Sequence, residues 1–234
     1  RDVERSRGLG DVYKRQNQNS VEIDLSKTVP SIKYSTFVKN IEYVDLHLND
    51  SLPIYGVENL YLDENKIFIK DRKSEGILIF DAITGKLLKR ITQYKEGPEE
   101  IKIIGAFCLD TYNKQLCIFD KGDMKIKLYD YSGDYISSYV VSDFFIDMAK
   151  LDKNSMTYFY PIYTDNEQKE GIWTLNSLDK TVIHLDSSIT ENCRLHYFPM
   201  LYNNNGSMVY YYDRNRDKLS LVTFDKMELS LIHI

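Results

Sequence analysis

Four histidines, His47, His184, His196 and His233, are the residues best suited to hold a metal or move a proton. None is paired at i, i+2 or i, i+4, the local spacing that zinc sites commonly use. The run DRNRD places Asp213, Asn215 and Asp217 as a calcium loop begins. Such a loop also needs Gly at its sixth position and Glu at its twelfth. Lys218 and Phe224 stand there instead, so the run reads as a charged hairpin turn. The patterns GxSxG, GxxxxGK(S/T), GxGxxG and HExxH do not occur, and with them go the common nucleophile, phosphate and zinc signatures. Cys108, Cys117 and Cys193 form no CxxC. Cys108 and Cys117 fall on adjacent expected strands. They read as small buried hydrophobes, with a disulfide between them as the alternative. No catalytic residue, metal ligand or cofactor is assigned on these grounds.

Aromatic residues are the other chemistry on offer: 19 Tyr and 10 Phe against a single Trp. In TYFYPIY, strand alternation puts Tyr158 and Tyr160 on one face, with Phe159 and Tyr163 on the other. In MVYYYD, Tyr210 and Tyr212 oppose Tyr211. Exposed at a rim, Tyr158, Tyr160, Tyr210 and Tyr212 would stack on sugar rings or grip a peptide. The competing reading is that they fill space inside the protein with only their hydroxyls reaching water. Pro161 lacks an N–H, which marks its strand as an edge or bulged one.

The elements that must position these residues are legible from a repeat. Residues 66–91 read KIFIKDRKSEGILIFDAITGKLLKRI, and residues 115–140 read QLCIFDKGDMKIKLYDYSGDYISSYV. Ile69, Asp71, Ile77 and Asp81 align with Ile118, Asp120, Ile126 and Asp130 without a gap. Each copy has an apolar run ending in Asp, a polar turn, a second such run, a Gly turn and a third run. Asp at a strand end accepts bonds from its own backbone and starts a turn, and Gly supplies the positive φ of a tight hairpin. All four aspartates are therefore read as structural turn-formers, with Asp120→Ala expected to cost about 1 kcal/mol.

A fourth strand precedes each copy, at Leu62-Asp63 and Leu109-Asp110, and a third copy opens at Leu151-Asp152. A looser fourth follows in PMLYNNNGSMVYYYD and KLSLVTF. Asp63 to Asp110 is 47 residues and Asp110 to Asp152 is 42. Four strands per 40–50 residues is roughly the period of a β-propeller blade. In GILIFD, Ile77 and Ile79 point one way while Leu78 and Phe80 point the other, and a strand apolar on both faces needs cover on both. The fold class expected is all-β: a β-propeller of four-stranded antiparallel blades, a WD40-like architecture.

The net charge of −5 disfavours a nucleic-acid partner, and no run of 18 apolar residues spans a membrane. From Val21 to Phe224 the chain resembles the bacterial six-bladed, NHL-like β-propellers that occur as secreted or lipid-anchored envelope proteins. The resemblance rests on VEIDL, on residues 37–71 as an entry into the first blade, and on YKEGPEEIK between the first two blades. There Gly97, Pro98 and Glu100 match a Gly-rich GxGPGEY-like linker, while Glu99 stands where Gly belongs. The resemblance implies a periplasmic or cell-surface location, with a lipid anchor as one mode of attachment. It implies no settled activity; the fold, the missing catalytic motifs and the tyrosine clusters together read as a non-catalytic protein that binds a glycan, a peptide or a partner protein. A second class, propeller enzymes of lactonase or lyase type, holds a metal with Glu, Asn and Asp in the central channel. Glu58, Asn59 and Asp147 are the candidates for that role here.

Both ends differ in character from the rest. Residues 1–16, with five Lys/Arg and three Asp/Glu and no strand alternation, contain LGDVYKRQ. The chain closes on LSLIHI. Both resemble translated sequencing-adapter read-through at the edges of metagenomic gene fragments. The domain reading is thus 1–16 as a non-native segment, 17–56 as an entry segment, 57–228 as blades and 229–234 as a non-native tail. Six blades need about 240–300 residues, so about four are expected, forming an open arc. VEIDL or IEYVDLHL is then the strand meant to complete a last blade, left here without its proper sheet.

Overall fold

A computed structural model describes residues 33–36, 38–48, 53–73, 76–160, 171–176, 182–186, 200–202, 209–213, 218–223, 225 and 227–233. The chain divides into two compact units, Arg1–Glu42 and Tyr43–Ile234. The described part of the first holds a short 3-10 turn, Tyr34–Thr36. Residues 1–32, VEIDL included, lie outside the described residues.

The second unit is built from sixteen described strands in four sheets, each a four-stranded antiparallel meander. The first blade is β1 (Val57–Asp63), β2 (Lys66–Asp71), β3 (Gly76–Asp81) and β4 (Leu87–Thr92). The second is β5 (Ile104–Asp110), β6 (Gln115–Asp120), β7 (Lys125–Asp130) and β8 (Tyr135–Val140). The third is β9 (Asp147–Lys150), β10 (Ser155–Tyr160), β11 (Gly171–Asn176) and β12 (Val182–Asp186). The fourth is β13 (Met200–Tyr202), β14 (Val209–Asp213), β15 (Lys218–Val222) and β16 (Met227–His233). The leading strands neighbour one another, β5 against β9 and β9 against β13. The result is an open propeller arc of four blades.

Alternation along each strand explains the stacking. Tyr61, Phe68, Ile77 and Ile79 face the second blade and pack with Phe107, Leu116 and Ile118. The opposite face of the second blade offers Ala106, Cys108, Cys117 and Phe119 to Met148, Met156 and Tyr158 of the third. Ile172 and Phe159 then meet Val209 and Tyr211 of the fourth. Each fully buried Phe or Ile contributes roughly 1.5–3 kcal/mol. The edge-on Tyr61–Phe107 pair, with centroids 5.0 Å apart, adds about 0.5–1.5 kcal/mol. Ion pairs tie neighbouring blades at the far ends of the leading strands: Lys114 to Asp63 at 3.1 Å and Lys150 to Asp110 at 3.0 Å.

The repeated aspartates divide into two roles. Asp81 accepts N–H bonds from Ile83 and Thr84, and Asp130 does so from Ser132 and Asp134. These two organise turns as the sequence implies. Asp120 likewise accepts the Gly122 N–H of its own turn at 3.0 Å, but Asp71 and Asp120 also reach across the blade to the chain entering it. Asp71 accepts from Tyr55 and Gly56 at 2.9 and 2.7 Å, and Asp120 from Lys102 and Ile103 at 3.0 Å each. Each one pins the start of its blade's leading strand. The β1–β2 hairpin turns on Glu64 and Asn65, both at positive φ (46° and 58°), a type I′ arrangement that suits a two-residue loop.

The remaining expectations meet the structure as follows. β10 lies between β9 and β11, so it is neither an edge strand nor bulged, contrary to the inference from Pro161. The strand ends at Tyr160, and Pro161 itself lies outside the described residues. IEYVDLHL does not complete a sheet: His47 makes a single parallel bridge to Lys86. Leu46, Leu48 and Ile54 instead cover Ile69, Leu78 and Phe80 on the outward face of the first blade. Gly85 permits this approach, since it sits at φ +69° and a Cβ there would lie 1.8 Å from the Asp45 carbonyl oxygen. Asp213 pairs with Lys218 across β14 and β15, and residues 214–217 of DRNRD lie outside the described residues. Residues 229–233, set apart on sequence, run within β16.

Candidate functional site

The aspartate pins decide where open space forms. By fixing the entries to β1 and β5, Asp71 and Asp120 leave a cavity of about 710 Å³ at the end of the arc where the leading strands begin. Its walls are the starts of β1 and β5, the exit of β2, residues 144–146 ahead of β9, and Asp147 at its start. This is the size range of small-molecule pockets, roughly 300–1,000 Å³.

The acidic groups of the wall are largely engaged. Glu58 pairs with Lys70 at 3.3 Å, and Lys70 also donates to the Gly105 carbonyl at 3.2 Å. A side chain at position 105 would block that wall, because a Cβ there would lie 2.7 Å from the Phe119 ring. Asp71 is 2% exposed and holds the two amides described above. Asp147 accepts the Met148 N–H at 2.9 Å. Gln93 takes the Ile104 N–H through its carbonyl oxygen, which leaves its NH₂ group to donate elsewhere.

Two cations differ. Arg72 and Lys121 are exposed and line the cavity, and neither side chain has an ion-pair or hydrogen-bond partner among the described residues. They hold equivalent places, each directly after the pinning aspartate of its blade. Phe144 adds an aromatic face. It is 45% exposed, lines the cavity and packs against Phe119 at 6.0 Å between centroids.

Behind the wall lies a buried charge network. Lys127 is fully buried and sits 2.9 Å from Asp120 and 3.3 Å from Asp123. It also donates to the Glu100 carbonyl, and the Tyr129 hydroxyl donates to that of Glu99 at 2.6 Å. The YKEGPEEIK linker is thereby fastened to the second blade. Burial acts to raise the Asp120 pKa, but the amides of Lys102 and Ile103 and the Lys127 ammonium outweigh it and hold the carboxyl below its usual range. Burial pushes the Tyr129 hydroxyl well up. For Cys108, a hydrogen bond with Cys117 and burial both raise the thiol pKa. These two cysteines sit directly opposite each other on β5 and β6 as free buried thiols.

Glu58, Asn59 and Asp147 do share this cavity. Among the described residues no group of three or more His, Cys, Asp or Glu is arranged to hold a metal. Tyr158 is 5% exposed and packs on Phe145 with centroids 4.8 Å apart, between the second and third blades. Tyr210 is half-buried. The side chains of Tyr160 and Tyr212 lie outside the described residues. Arg72 and Lys121 escape a motif search, although the aligned copies display them as Asp71-Arg72 and Asp120-Lys121. No described helix is long and apolar enough to cross a membrane.

Comparison with solved structures finds relatives of the same architecture. A candidate exported protein of Bacteroides fragilis NCTC 9343 matches with a TM-score of 0.66 and 17% identity, over 82% of this chain and 54% of that one. A member of the DUF4221 family from Bacteroides vulgatus ATCC 8482 matches with a TM-score of 0.53 and 11% identity, over 79% of this chain and 60% of that one. The chain thus spans little more than half the length of these structures. At such identities the likeness shows the fold alone. No curated protein matches. The profile of the family described as Domain of unknown function (DUF4934) matches residues 20–232, and the chain belongs to that family.

Proposed function

We propose that the protein is a non-catalytic β-propeller of the bacterial envelope, secreted or lipid-anchored, that binds a glycan, peptide or partner protein in the cavity at the entry end of its blades. The observation that carries this reading is the pairing of a 710 Å³ cavity with polar groups left over for a ligand. Arg72 and Lys121 are uncommitted while the neighbouring carboxylates are engaged. The envelope location draws on the NHL-like resemblance and on the exported character suggested for the B. fragilis relative. The greater length of both relatives supports a longer, six-bladed parent in which about two further blades close the ring.

A second reading, a lactonase- or lyase-like enzyme with a channel metal, draws on the convergence of Glu58, Asn59 and Asp147 on the same cavity. Equilibrium dialysis of the protein against soluble oligosaccharide and peptide libraries, with mass detection of both sides, separates the two. Asn59→Trp, which fills the cavity, should abolish retention of whatever wild type retains, and the retained molecules should come back unchanged. Products in place of the input, dependent on stoichiometric bound calcium or zinc, would favour the enzyme. Retention undiminished in the Asn59→Trp variant would remove the cavity from the account.

A further inference from the structure

Taking the cavity as the binding site, we propose that its ligand is an acidic saccharide whose carboxylate is held between Arg72 and Lys121 and whose ring lies on Phe144. Three observations converge on this. First, of the charged side chains that line the cavity, those without an internal partner among the described residues are both positive: Arg72 and Lys121. An uncommitted guanidinium offers the planar, bidentate fork that fits a carboxylate, and an ammonium lining the same cavity can add a second charge-assisted bond. Second, the two cations come from equivalent positions in adjacent blades, so the repeat itself presents them along one wall. The same pair recurs in the sequence as Asp213-Arg214.

Third, the rest of the lining suits a sugar better than a peptide. Phe144 presents a half-exposed ring to the cavity, and the C–H face of a pyranose stacks on such a ring. Asn59 and the NH₂ group of Gln93 are side-chain amides able to bond hydroxyls around the ring's edge. An extended peptide would look for a free strand edge; β1 and β5 end their sheets at this cavity, but the Gly105 carbonyl on β5 is already taken by Lys70.

The test is isothermal titration of the purified protein with three probes: trigalacturonate, neutral galactotriose and triglutamate. Trigalacturonate should bind, with affinity falling as salt rises, while galactotriose and triglutamate bind at least tenfold more weakly. Arg72→Gln and Lys121→Gln should each weaken trigalacturonate by about tenfold or more, the scale of one charge-assisted hydrogen bond. The exposed Lys153→Gln, outside the cavity, should leave it unchanged. Both cavity variants remove side chains without internal partners, so folding should be untouched, which far-UV circular dichroism checks. Phe144→Ala should weaken trigalacturonate and galactotriose by the same factor. Galactotriose binding as tightly as trigalacturonate, and lost in Asn59→Trp, would overturn the acidic assignment while leaving the cavity as the site. Triglutamate as the tightest probe would replace the saccharide with a peptide. Trigalacturonate binding that ignores both Gln substitutions, or its failure to bind at all, would likewise overturn the inference, and the library retention test would then decide separately whether the cavity binds anything.

Discussion

Replacing Asp120 by Ala should destabilise the protein by about 3 kcal/mol or more, well above the cost of one turn bond. The carboxylate is fully buried and accepts three backbone N–H bonds, from Lys102, Ile103 and Gly122, each at 3.0 Å. It also pairs with Lys127, itself fully buried, at 2.9 Å. Removing one partner of a buried pair costs roughly 3–5 kcal/mol because the other charge is stranded. Asp123, 3.3 Å from the same ammonium, keeps the expected loss toward the lower end. Urea denaturation followed by circular dichroism measures it. The diagnostic control is Lys127→Met in the Asp120→Ala background. Removing the stranded charge should recover about 1 kcal/mol or more, since buried pairs exchange for apolar groups at little cost. A loss below about 1 kcal/mol, or no recovery in the double variant, would show that the Asp120–Lys127 pair does not hold the blade entry. The pH dependence has a definite sign. Because the folded carboxyl lies below its ordinary value, its stabilisation is present above the unfolded pKa of about 3.9 and lost as pH falls through the folded value. The Asp120→Asn variant should therefore lose less stability than wild type between pH 4 and more acidic conditions.

Gly85→Ala should release the covering strap, because the new methyl collides with the Asp45 carbonyl. Hydrogen exchange should show the His47 amide, which donates to Gly85 at 2.9 Å, losing protection, and unchanged protection would contradict the packing of that segment. Cys108 and Cys117, buried and with the Cys108 thiol pKa raised, should resist iodoacetamide at pH 8 in the native state and react in denaturant. Rapid native labelling mapped by mass spectrometry would contradict their burial. Tyr158→Ala should cost about 3–5 kcal/mol by opening a cavity between blades. Tyr158→Phe should cost less than Tyr158→Ala, because the ring stays in place and the bond lost to the Met156 sulfur is a long one at 3.7 Å. A large loss in the Phe variant by urea titration would assign the hydroxyl a structural bond.

The blades were legible because their turn chemistry is local. Asp81 and Asp130 close turns within four residues of themselves, and GILIFD displays its two apolar faces without any partner in view. Asp71 and Asp120 look identical to these in the sequence, yet they also hold amides 15 to 18 residues upstream. That distance is set by how the meander folds back, which no local pattern encodes. Pro161 misled for a related reason: a proline one residue beyond a strand reads the same as one inside it. The candidate site was the least legible part. Arg72 and Lys121 stood in plain sight after the repeated aspartates, but which end of a blade borders a cavity depends on the stacking of blades and not on the blade alone. Tyr158 drew attention by its type, and its burial between sheets follows from the same stacking.

The central claim is that ligand binding occurs at the entry end of the blades. Hydrogen exchange read peptide by peptide, with and without a ligand retained in the dialysis experiment, tests it most directly. The account predicts added protection in three separated stretches that line the cavity: residues 57–59, residues 70–72 and residues 104–106. Protection confined to the tyrosine-bearing strands β10 and β14, with those three stretches unchanged, would contradict it.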